Sequence, residues 1–166
     1  MEHTVSVSAS IRVGVPCAAL FDWFIPVELP RILLGYGPVP SIVETTGQTG
    51  AWDVPGSSRT VHLADGSTAR EQVTECVRPS YFGYRVGEFT GNVRHLATGA
   101  RGAWTFEETG GGTDARWTYT FIARSAVARV VLFPVVKVLW RGFMRAALRR
   151  MVELSEAETR DAVAPA

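Results

Sequence analysis

The last part of the chain carries one long apolar stripe, and this stripe constrains the fold more than any other feature. Its members recur at helical spacing between about residues 134 and 156: Val136, Leu139, Trp140, Phe143, Ala147, Met151 and Leu154. Pro134 suits the first turn of a helix, so we expect the helix to begin there. A helix with so much apolar surface must pack against another apolar layer. The rest of the chain must supply that layer.

Seven earlier segments have the pattern of strands. Residues 4–13 alternate apolar and polar side chains, which predicts a half-buried first strand. The other segments are 39–46, 57–64, 67–78, 81–89, 97–108 and 114–124. Between the first two segments, Pro16 opens a short apolar helix, and Pro26 and Pro30 limit the next piece to a second short helix at most. The pattern predicts an α+β domain over residues 1–158, with residues 159–166 as a flexible tail.

The last two strands form a hairpin whose aromatic side chains share one face. With Gly111 and Gly112 as a two-residue loop, Phe106 pairs with Trp117 and Trp104 with Tyr119. In that register Gly102 lies opposite Phe121, which would cover the bare glycine. The pattern therefore predicts a ladder of aromatic side chains on the inner face of the sheet.

A second hairpin turns at Asp65 and Gly66. A two-residue loop would place Val61 opposite Arg70, whereas a three-residue loop with Gly66 in the left-handed conformation places it opposite Ala69. The second register puts Val61, Leu63, Ala69, Val73 and Val77 on one face. It also brings Arg59 and Glu71 onto that inner face, directly opposite each other. If Pro79 and Ser80 form the next turn, Glu75 and Tyr84 share the same face.

Charge and cysteine content exclude several classes of protein. The formal net charge of +1 gives no argument for nucleic-acid binding. Cys17 and Cys76 are isolated, with no CxxC motif and no histidine at ligand spacing, so we expect neither a metal nor a cofactor. The N-terminus has no pattern of a secretory signal, and the apolar stretch from 126 to 140 contains Arg129, Pro134 and Lys137. These observations predict a cytoplasmic protein.

Catalytic motifs are missing from the sequence. There is no HExxH, GxSxG, P-loop or Rossmann glycine pattern. His3, His62 and His95 are far apart, and only His95, in the 90–96 connection, lies where a cavity lid is expected; a surface loop position is the favoured interpretation. General acid or base chemistry would have to use Arg59, Glu71 and Tyr84.

The chain resembles the START-like superfamily (SRPBCC), in its bacterial polyketide cyclase/dehydrase-like branch, over roughly residues 3–155. The resemblance rests on Gly50-x-Trp52, the run Pro55 to Arg59, Val61, Leu63, Asp65-Gly66, Glu71-x-Val73, Phe82-x-Tyr84-x-Val86 and Gly102-x-Trp104-x-Phe106. It implies the helix-grip fold, a curved antiparallel sheet of about seven strands wrapped around a long C-terminal helix. It also implies a cavity for lipids, polyketides or other apolar ligands between sheet and helix.

The sequence therefore favours a carrier or sensor of an apolar small molecule over an enzyme. The residues predicted to line its ligand site are Arg59, Val61, Glu71, Val73, Phe82, Tyr84, Trp104, Phe106, Trp117, Tyr119, Phe121, Trp140, Phe143 and Ala147. A densely packed core is the alternative for the aromatic ladder, and a structural ion pair near solvent is the alternative for Arg59 and Glu71. An aromatase/cyclase-type enzyme that acts on a polyketone remains a second hypothesis.

A third hypothesis is a ligand-free interaction module that uses the basic face of the C-terminal helix. Lys137, Arg141, Arg145 and Arg149 recur every four residues on the side away from the apolar stripe. Such a row can meet an anionic membrane or an acidic partner. A solvated outer face is the favoured interpretation. Arg150 lies at the edge of the stripe, where its side chain can snorkel or reach the cavity mouth.

Overall fold

The alternating segments form seven antiparallel strands of one sheet in the computed structural model, which describes residues 1–163. The strands are β1 (His3–Val13), β2 (Ile42–Thr46), β3 (Ser58–Leu63), β4 (Thr68–Val77), β5 (Tyr81–Gly87), β6 (Ala97–Thr109) and β7 (Gly112–Ala123). Their order across the sheet is β1-β7-β6-β5-β4-β3-β2, so the first strand pairs with the last. This is the predicted helix-grip architecture, with the inner face of the sheet turned toward the C-terminal helix.

Short helical elements close one end of the interior. Helix α1 (Cys17–Phe24) follows β1, and a 3-10 turn (Leu29–Arg31) takes the place of the second short helix. The ring centroid of Phe24 lies 4.8 Å from that of Trp104 and 5.3 Å from that of Phe106. Phe21 makes an edge contact with Phe106 at 5.5 Å. The side chains of α1 therefore fill the space beside this part of the sheet.

The C-terminal helix begins eight residues before the predicted start at Pro134. Helix α2 (Ala126–Pro134) is capped by Ser125, whose hydroxyl oxygen accepts from the Ala128 N–H at 3.1 Å. Pro134 lies inside the continuous helix, and a π-helical segment (Val135–Trp140) follows it before α3 (Arg141–Val163). Proline removes one backbone donor and crowds the preceding turn, and the wider π spacing directly follows that disturbance.

The end of the helix also differs from the predicted boundary. Helix α3 continues to Val163, past the helix end near residue 156 that the apolar stripe predicts. Of the predicted tail, residues 164–166 lie outside the described residues, and the flexibility of the tail stays a prediction. Within residues 1–163 no helix is both long and apolar enough to cross a membrane.

The hairpin between β3 and β4 has the predicted register. Val61 is opposite Ala69, Arg59 is opposite Glu71, and Gly66 has a φ of +84° in the turn. The predicted face breaks down farther along β4, where a bulge lies between Val73 and Glu75. Because a bulge adds one residue to one strand, the side chains beyond it change sides. Val77 and Glu75, both predicted to face inward, are exposed.

The register predicted for the β6–β7 hairpin is wrong by two residues. The loop is formed by Gly110 and Gly111, so Trp104 pairs with Trp117 and Phe106 with Ala115. All the predicted aromatic residues still face inward, because a shift of two residues keeps every side chain on its side of the sheet. Gly102 pairs with Tyr119 on β7 and is covered by Tyr84 of β5 instead of Phe121.

Candidate functional site

A cavity of about 430 Å³ lies between the inner face of the sheet and the C-terminal helix. The sheet contributes an aliphatic wall from β3 to β5 and an aromatic wall from β7, and the helix contributes the opposite side. The residues on the sheet side are Ile42, Val61, Leu63, Thr68, Ala69, Glu71, Tyr84, Val86, Trp117, Tyr119 and Phe121. Those on the helix side are Leu132, Val135, Val136, Leu139, Trp140 and Phe143. Alternation along the strands and the helical stripe together produce this lining.

The mouth of the cavity lies where lining residues are themselves exposed to solvent. Pro38, Asp65, Asn92 and Val135 are exposed residues in the lining. They belong to the loop before β2, the β3–β4 turn, a 3-10 turn (Asn92–His95) and the π-helical segment. The opening of the cavity to solvent therefore lies between these four segments.

The loop before β2 packs against the C-terminal helix at the mouth of the cavity. Tyr36 forms a backbone bridge with Val39, which lines the cavity. The ring of Tyr36 lies against Gly142, where an added Cβ would sit 2.3 Å from the ring atom Cε1. A side chain at residue 142 would therefore displace the ring of Tyr36.

A second, smaller chamber of about 50 Å³ adjoins the large cavity. Four residues line both spaces: Leu33, Glu71, Tyr84 and Trp117. The small chamber is otherwise enclosed by side chains of α1, the following 3-10 turn and the sheet. These four shared residues form a partition, and the partition contains the polar groups of the site.

Arg59 and Glu71 form a buried ion pair beside this partition. The Arg59 Nε–H donates to Glu71 Oε2 at 2.9 Å, and the two side chains are only 8% and 12% exposed. The guanidinium carbon of Arg59 lies 3.8 Å from the ring centroid of Trp52. This cation–π contact and the carboxylate together compensate for the burial of the arginine charge.

Burial controls the protonation of the acidic groups in the site. Burial raises the pKa of Glu71 above its ordinary value, although the neighbouring Arg59 guanidinium opposes that shift. Burial, and then the charge of Glu71, raise the pKa of Tyr84. Burial is also the main cause of the raised pKa of Tyr119. Both phenols therefore keep their protons at neutral pH and can donate a hydrogen bond.

The Tyr84 hydroxyl is held in place by Trp117. The Trp117 Nε1–H donates to the Tyr84 oxygen at 3.1 Å, and the proton of that hydroxyl remains available for donation. The indole N–H of Trp140 is buried and has no hydrogen-bond partner within residues 1–163. The site thus offers a fixed phenol donor and a carboxylate within a largely apolar lining.

Most of the residues predicted from sequence to form the site come together in these two chambers. Eight of them line the large cavity: Val61, Glu71, Tyr84, Trp117, Tyr119, Phe121, Trp140 and Phe143. Arg59, Phe82 and Trp104 line only the small chamber. Val73, Phe106 and Ala147 line neither space and are buried in the packed core. Phe106 packs against Phe21 and Phe24 of α1, which separate it from the site.

Other predicted positions fall outside the site. His95 is exposed and does not line either chamber, although Asn92, Val93 and Leu96 around it line the large one. The Arg150 Nε–H donates to the Arg31 carbonyl oxygen at 3.3 Å instead of reaching the mouth. Within the described part of the chain, no group of three or more histidine, cysteine, aspartate or glutamate side chains is placed to hold a metal.

Several residues that line the cavity near its mouth were not predicted from the sequence. Pro38, Val39 and Pro40 lie in a loop, and their signal was an apolar run among prolines and glycines. Leu132 was missed because the helix was predicted to begin after it. Trp52 was noted for the resemblance, but its stacking on Arg59 depends on a loop course that the sequence pattern does not indicate.

Comparisons with known proteins agree with this architecture. A family model described as "Polyketide cyclase / dehydrase and lipid transport" matches residues 4–156. No curated protein matches the chain.

Solved structures with the same fold come from plants and bacteria. A point mutant of norcoclaurine synthase from Thalictrum flavum, in complex with a transition-state analogue, has a TM-score of 0.70 at 12% identity, covering 96% of this chain and 98% of that one. The major latex-like protein 151 of Panax ginseng has a TM-score of 0.65 at 12% identity, covering 92% and 98%. An uncharacterised protein from Bacillus thuringiensis has a TM-score of 0.60 at 14% identity, covering 91% and 98%.

Proposed function

This chain belongs to the polyketide cyclase/dehydrase and lipid transport family, and we propose that it binds an apolar small molecule, as a carrier or a sensor, in the large cavity. Membership of the family supports the binding of a hydrophobic ligand in general. A lipid or a polyketide has the size and polarity that the lining suits. The two unpaired cysteines, Cys17 and Cys76, support a cytoplasmic location as part of the same proposal.

The observation that carries the proposal is the volume of the cavity together with its lining. About 430 Å³ lies within the range of small-molecule sites, which are mostly apolar with a few placed polar groups. Tightly packed interiors leave few voids larger than a water molecule. A cavity of this volume, bounded by Tyr119, Phe121 and Phe143, is therefore suited to a ligand.

The partition residues would orient the ligand. The Tyr84 O–H can donate to a ligand oxygen, and the Glu71 carboxylate can accept from a ligand hydroxyl. A hydroxyl group satisfies both at once, because it accepts one hydrogen bond and donates another. We therefore propose an apolar ligand with a hydroxyl or enol at the end that meets Glu71 and Tyr84.

A larger side chain inside the cavity should weaken ligand binding without unfolding the protein. Ala69 lines the cavity on β4, and Ala69→Phe would place a ring in the volume that the ligand needs. We expect the Kd for the apolar dye Nile red, measured by fluorescence titration, to rise at least about tenfold, because the lost apolar burial exceeds about 1.4 kcal/mol. Ala103→Phe adds the same ring on the outer face of β6 and should leave the Kd unchanged.

Equal Nile red affinity in the wild type and in Ala69→Phe would contradict the proposal. Native mass spectrometry of the purified wild-type protein supplies an independent test. We expect an additional mass that organic solvent extracts, and we expect Ala69→Phe to be purified without it. The extracted compound can then be identified.

An acid–base enzyme is the second candidate function, and the raised pKa of the Glu71 carboxyl favours it. Catalytic carboxyls are often tuned in this direction by burial. The norcoclaurine synthase in complex with dopamine and hydroxybenzaldehyde shares this fold at 12% identity. If the chain cyclises a polyketone, Glu71 would move the proton and Tyr84 would stabilise the developing enolate by donating to its oxygen.

Two variants separate this enzyme from a carrier. In the enzyme, Glu71→Gln should lower the turnover of a polyketone substrate at least about a hundredfold, the usual contribution of a general base, while Nile red binding persists. Tyr84→Phe should act in the same direction and leave the carboxylate in place. A carrier should show no turnover in either form, and product formation by the wild type is measured by chromatography.

A further inference from the structure

The outer side of the C-terminal helix is apolar and exposed where it passes the cavity mouth. We call this surface, formed by Val127, Val130, Val131, Phe133 and Val138, the valine face. Val127, Val130 and Val138 keep 74%, 71% and 66% of their surface exposed. Apolar residues exposed singly are ordinary, but a contiguous patch with a polar rim marks an interaction site.

Basic residues flank the valine face on one side. The Arg129 Nε–H donates to the Thr4 carbonyl oxygen at 3.0 Å, and the Lys137 ammonium donates to the Ser6 carbonyl oxygen. These two side chains therefore lie between the helix and the edge strand β1. Arg141 and Arg145 continue the exposed surface along α3. From residue 126 to residue 152 the sequence contains no aspartate or glutamate, so no acidic side chain of this part of the helix offsets the charge.

The cavity mouth lies on the opposite flank of the valine face. Val135 and Leu139, from the same part of the helix, line the cavity, and Val135 is itself exposed. Any partner that covers the valine face therefore also meets the mouth. Exposed apolar side chains on the outside of the helix are therefore followed, at Val135, by residues that line the cavity.

We propose that the valine face docks onto an anionic lipid surface. The valine side chains and Phe133 would enter the boundary between headgroups and acyl chains, and Arg129, Lys137 and Arg141 would meet the headgroup phosphates. The mouth beside Val135 would then open toward the acyl region. Docking needs no bound ligand, so the proposal goes beyond the proposed binding function and does not rest on it.

Charge complementarity favours a lipid surface over a second copy of this chain. A symmetric interface would bring two such surfaces together, and with them two sets of basic residues from a stretch, 126–152, that contains no acidic residue. Like charges close together oppose association. An anionic bilayer supplies both the apolar phase and the negative charge that this surface requires.

Vesicle flotation with the full chain tests the proposal. Vesicles of phosphatidylcholine alone are compared with vesicles that also contain phosphatidylglycerol, at low ionic strength. We expect the partition coefficient to be at least about tenfold higher on the anionic vesicles, because each basic residue near the surface contributes favourably. Raising the salt concentration should reduce that preference.

Matched variants assign the contact to the valine face. Val130→Asp with Val138→Asp should lower partitioning at least about tenfold, because two exposed apolar contacts are replaced by charges of the wrong sign. Val54→Asp with Val163→Asp adds the same charge at positions 51% and 78% exposed elsewhere, and should change partitioning less than about threefold. Arg141→Glu with Arg145→Glu should remove the preference for phosphatidylglycerol without touching the valine face.

Three results would overturn the proposal. The first is a wild-type protein that floats with neither kind of vesicle. The second is a valine-face variant that partitions as well as the wild type. The third is a dimer in sedimentation equilibrium that the valine-face variant dissociates while vesicles bind nothing, which assigns the surface to a second copy. Nile red titration of the same variants reports on the cavity separately, so a failure of docking leaves the ligand-binding proposal intact.

Discussion

Replacing Arg59 with methionine should lower the free energy of unfolding by about 3–5 kcal/mol at pH 7. Methionine keeps much of the side-chain volume and its contact with Trp52, but it removes the donor that Glu71 Oε2 accepts from at 2.9 Å. A carboxylate that is 12% exposed is then left without its partner. Urea denaturation followed by circular dichroism measures the loss.

The loss should depend on pH in a defined direction. Burial already raises the pKa of Glu71, and removing Arg59 takes away the charge that opposed the shift. The pKa of Glu71 is higher in the folded protein than the value of about 4.3 in the unfolded chain. Below about pH 4.3 the carboxyl is protonated in both states, so it does not lower the free energy of unfolding. The penalty grows as the pH rises from there to the folded pKa. Arg59→Met should therefore approach wild-type stability near pH 4.

Two controls test the cause of this loss. Arg101→Met removes an exposed pair with Glu2, whose side chains are 54% and 48% exposed, and should cost at most about 1 kcal/mol. Arg59→Met combined with Glu71→Leu removes both charges and should recover most of the stability. A loss that is equal at pH 4 and pH 7 would contradict the assignment to a buried carboxylate.

The Arg59–Glu71 ion pair lies at the partition between the two chambers, so it also bears on the proposed ligand site. Glu71, Tyr84 and Trp117 line both spaces, and the Trp117–Tyr84 hydrogen bond fixes the phenol at that boundary. The small chamber is too small for a ligand of the size that the large cavity admits. A ligand in the large cavity would therefore stop at this polar boundary, where Arg59 holds the Glu71 carboxylate.

Some registers could be predicted from the sequence because the alternatives differed in burial. In the β3–β4 hairpin, the two loop lengths placed either Ala69 or Arg70 opposite Val61, and only the register with Ala69 paired Val61 with an apolar residue. The register with Ala69 is the one found. It correctly placed Arg59 beside Glu71, the central ion pair of the site.

The β6–β7 register could not be obtained in the same way. Gly110, Gly111 and Gly112 offer two positions for a two-residue loop, and these differ by two residues in register. Because side chains alternate with a period of two, both registers bury the same aromatic residues. Only three-dimensional packing distinguishes them. The bulge beyond Val73 likewise has no local signal, and it exposed Glu75 and Val77.

The division between cavity and core depends on contacts distant in sequence. Phe106 and Tyr119 share the inner face and look equivalent in the pattern. Phe106 is packed by α1, whereas Tyr119 faces the cavity next to Trp140, with ring centroids 4.9 Å apart. The helix start was missed because residues 127 to 133 are apolar on the exposed side as well, so no stripe is visible there.

Gly102→Ala should lower the free energy of unfolding by about 3 kcal/mol, at the upper end of the range for an overpacked interior. A Cβ at this position would lie 2.1 Å from Cζ of Tyr84 and 2.3 Å from its Cε1. Tyr84 is buried and accepts a hydrogen bond from Trp117, so its ring has little freedom to move away. Thermal and urea denaturation measure the change.

The same substitution should also disturb ligand binding, because Gly102 is what allows Tyr84 to lie flat over β6 at the partition. A ring pushed off the strand would enter one of the two chambers, so the Kd for Nile red should rise together with the loss of stability. Gly87→Ala, on β5, is the matched control, since its Cβ would meet no atom within 4 Å. In a Tyr84→Ala background, Gly102→Ala should cost less than about 1 kcal/mol, because the double-mutant cycle removes the clash. An undiminished cost in that background would show that the strand itself requires glycine, and that Tyr84 is not the cause.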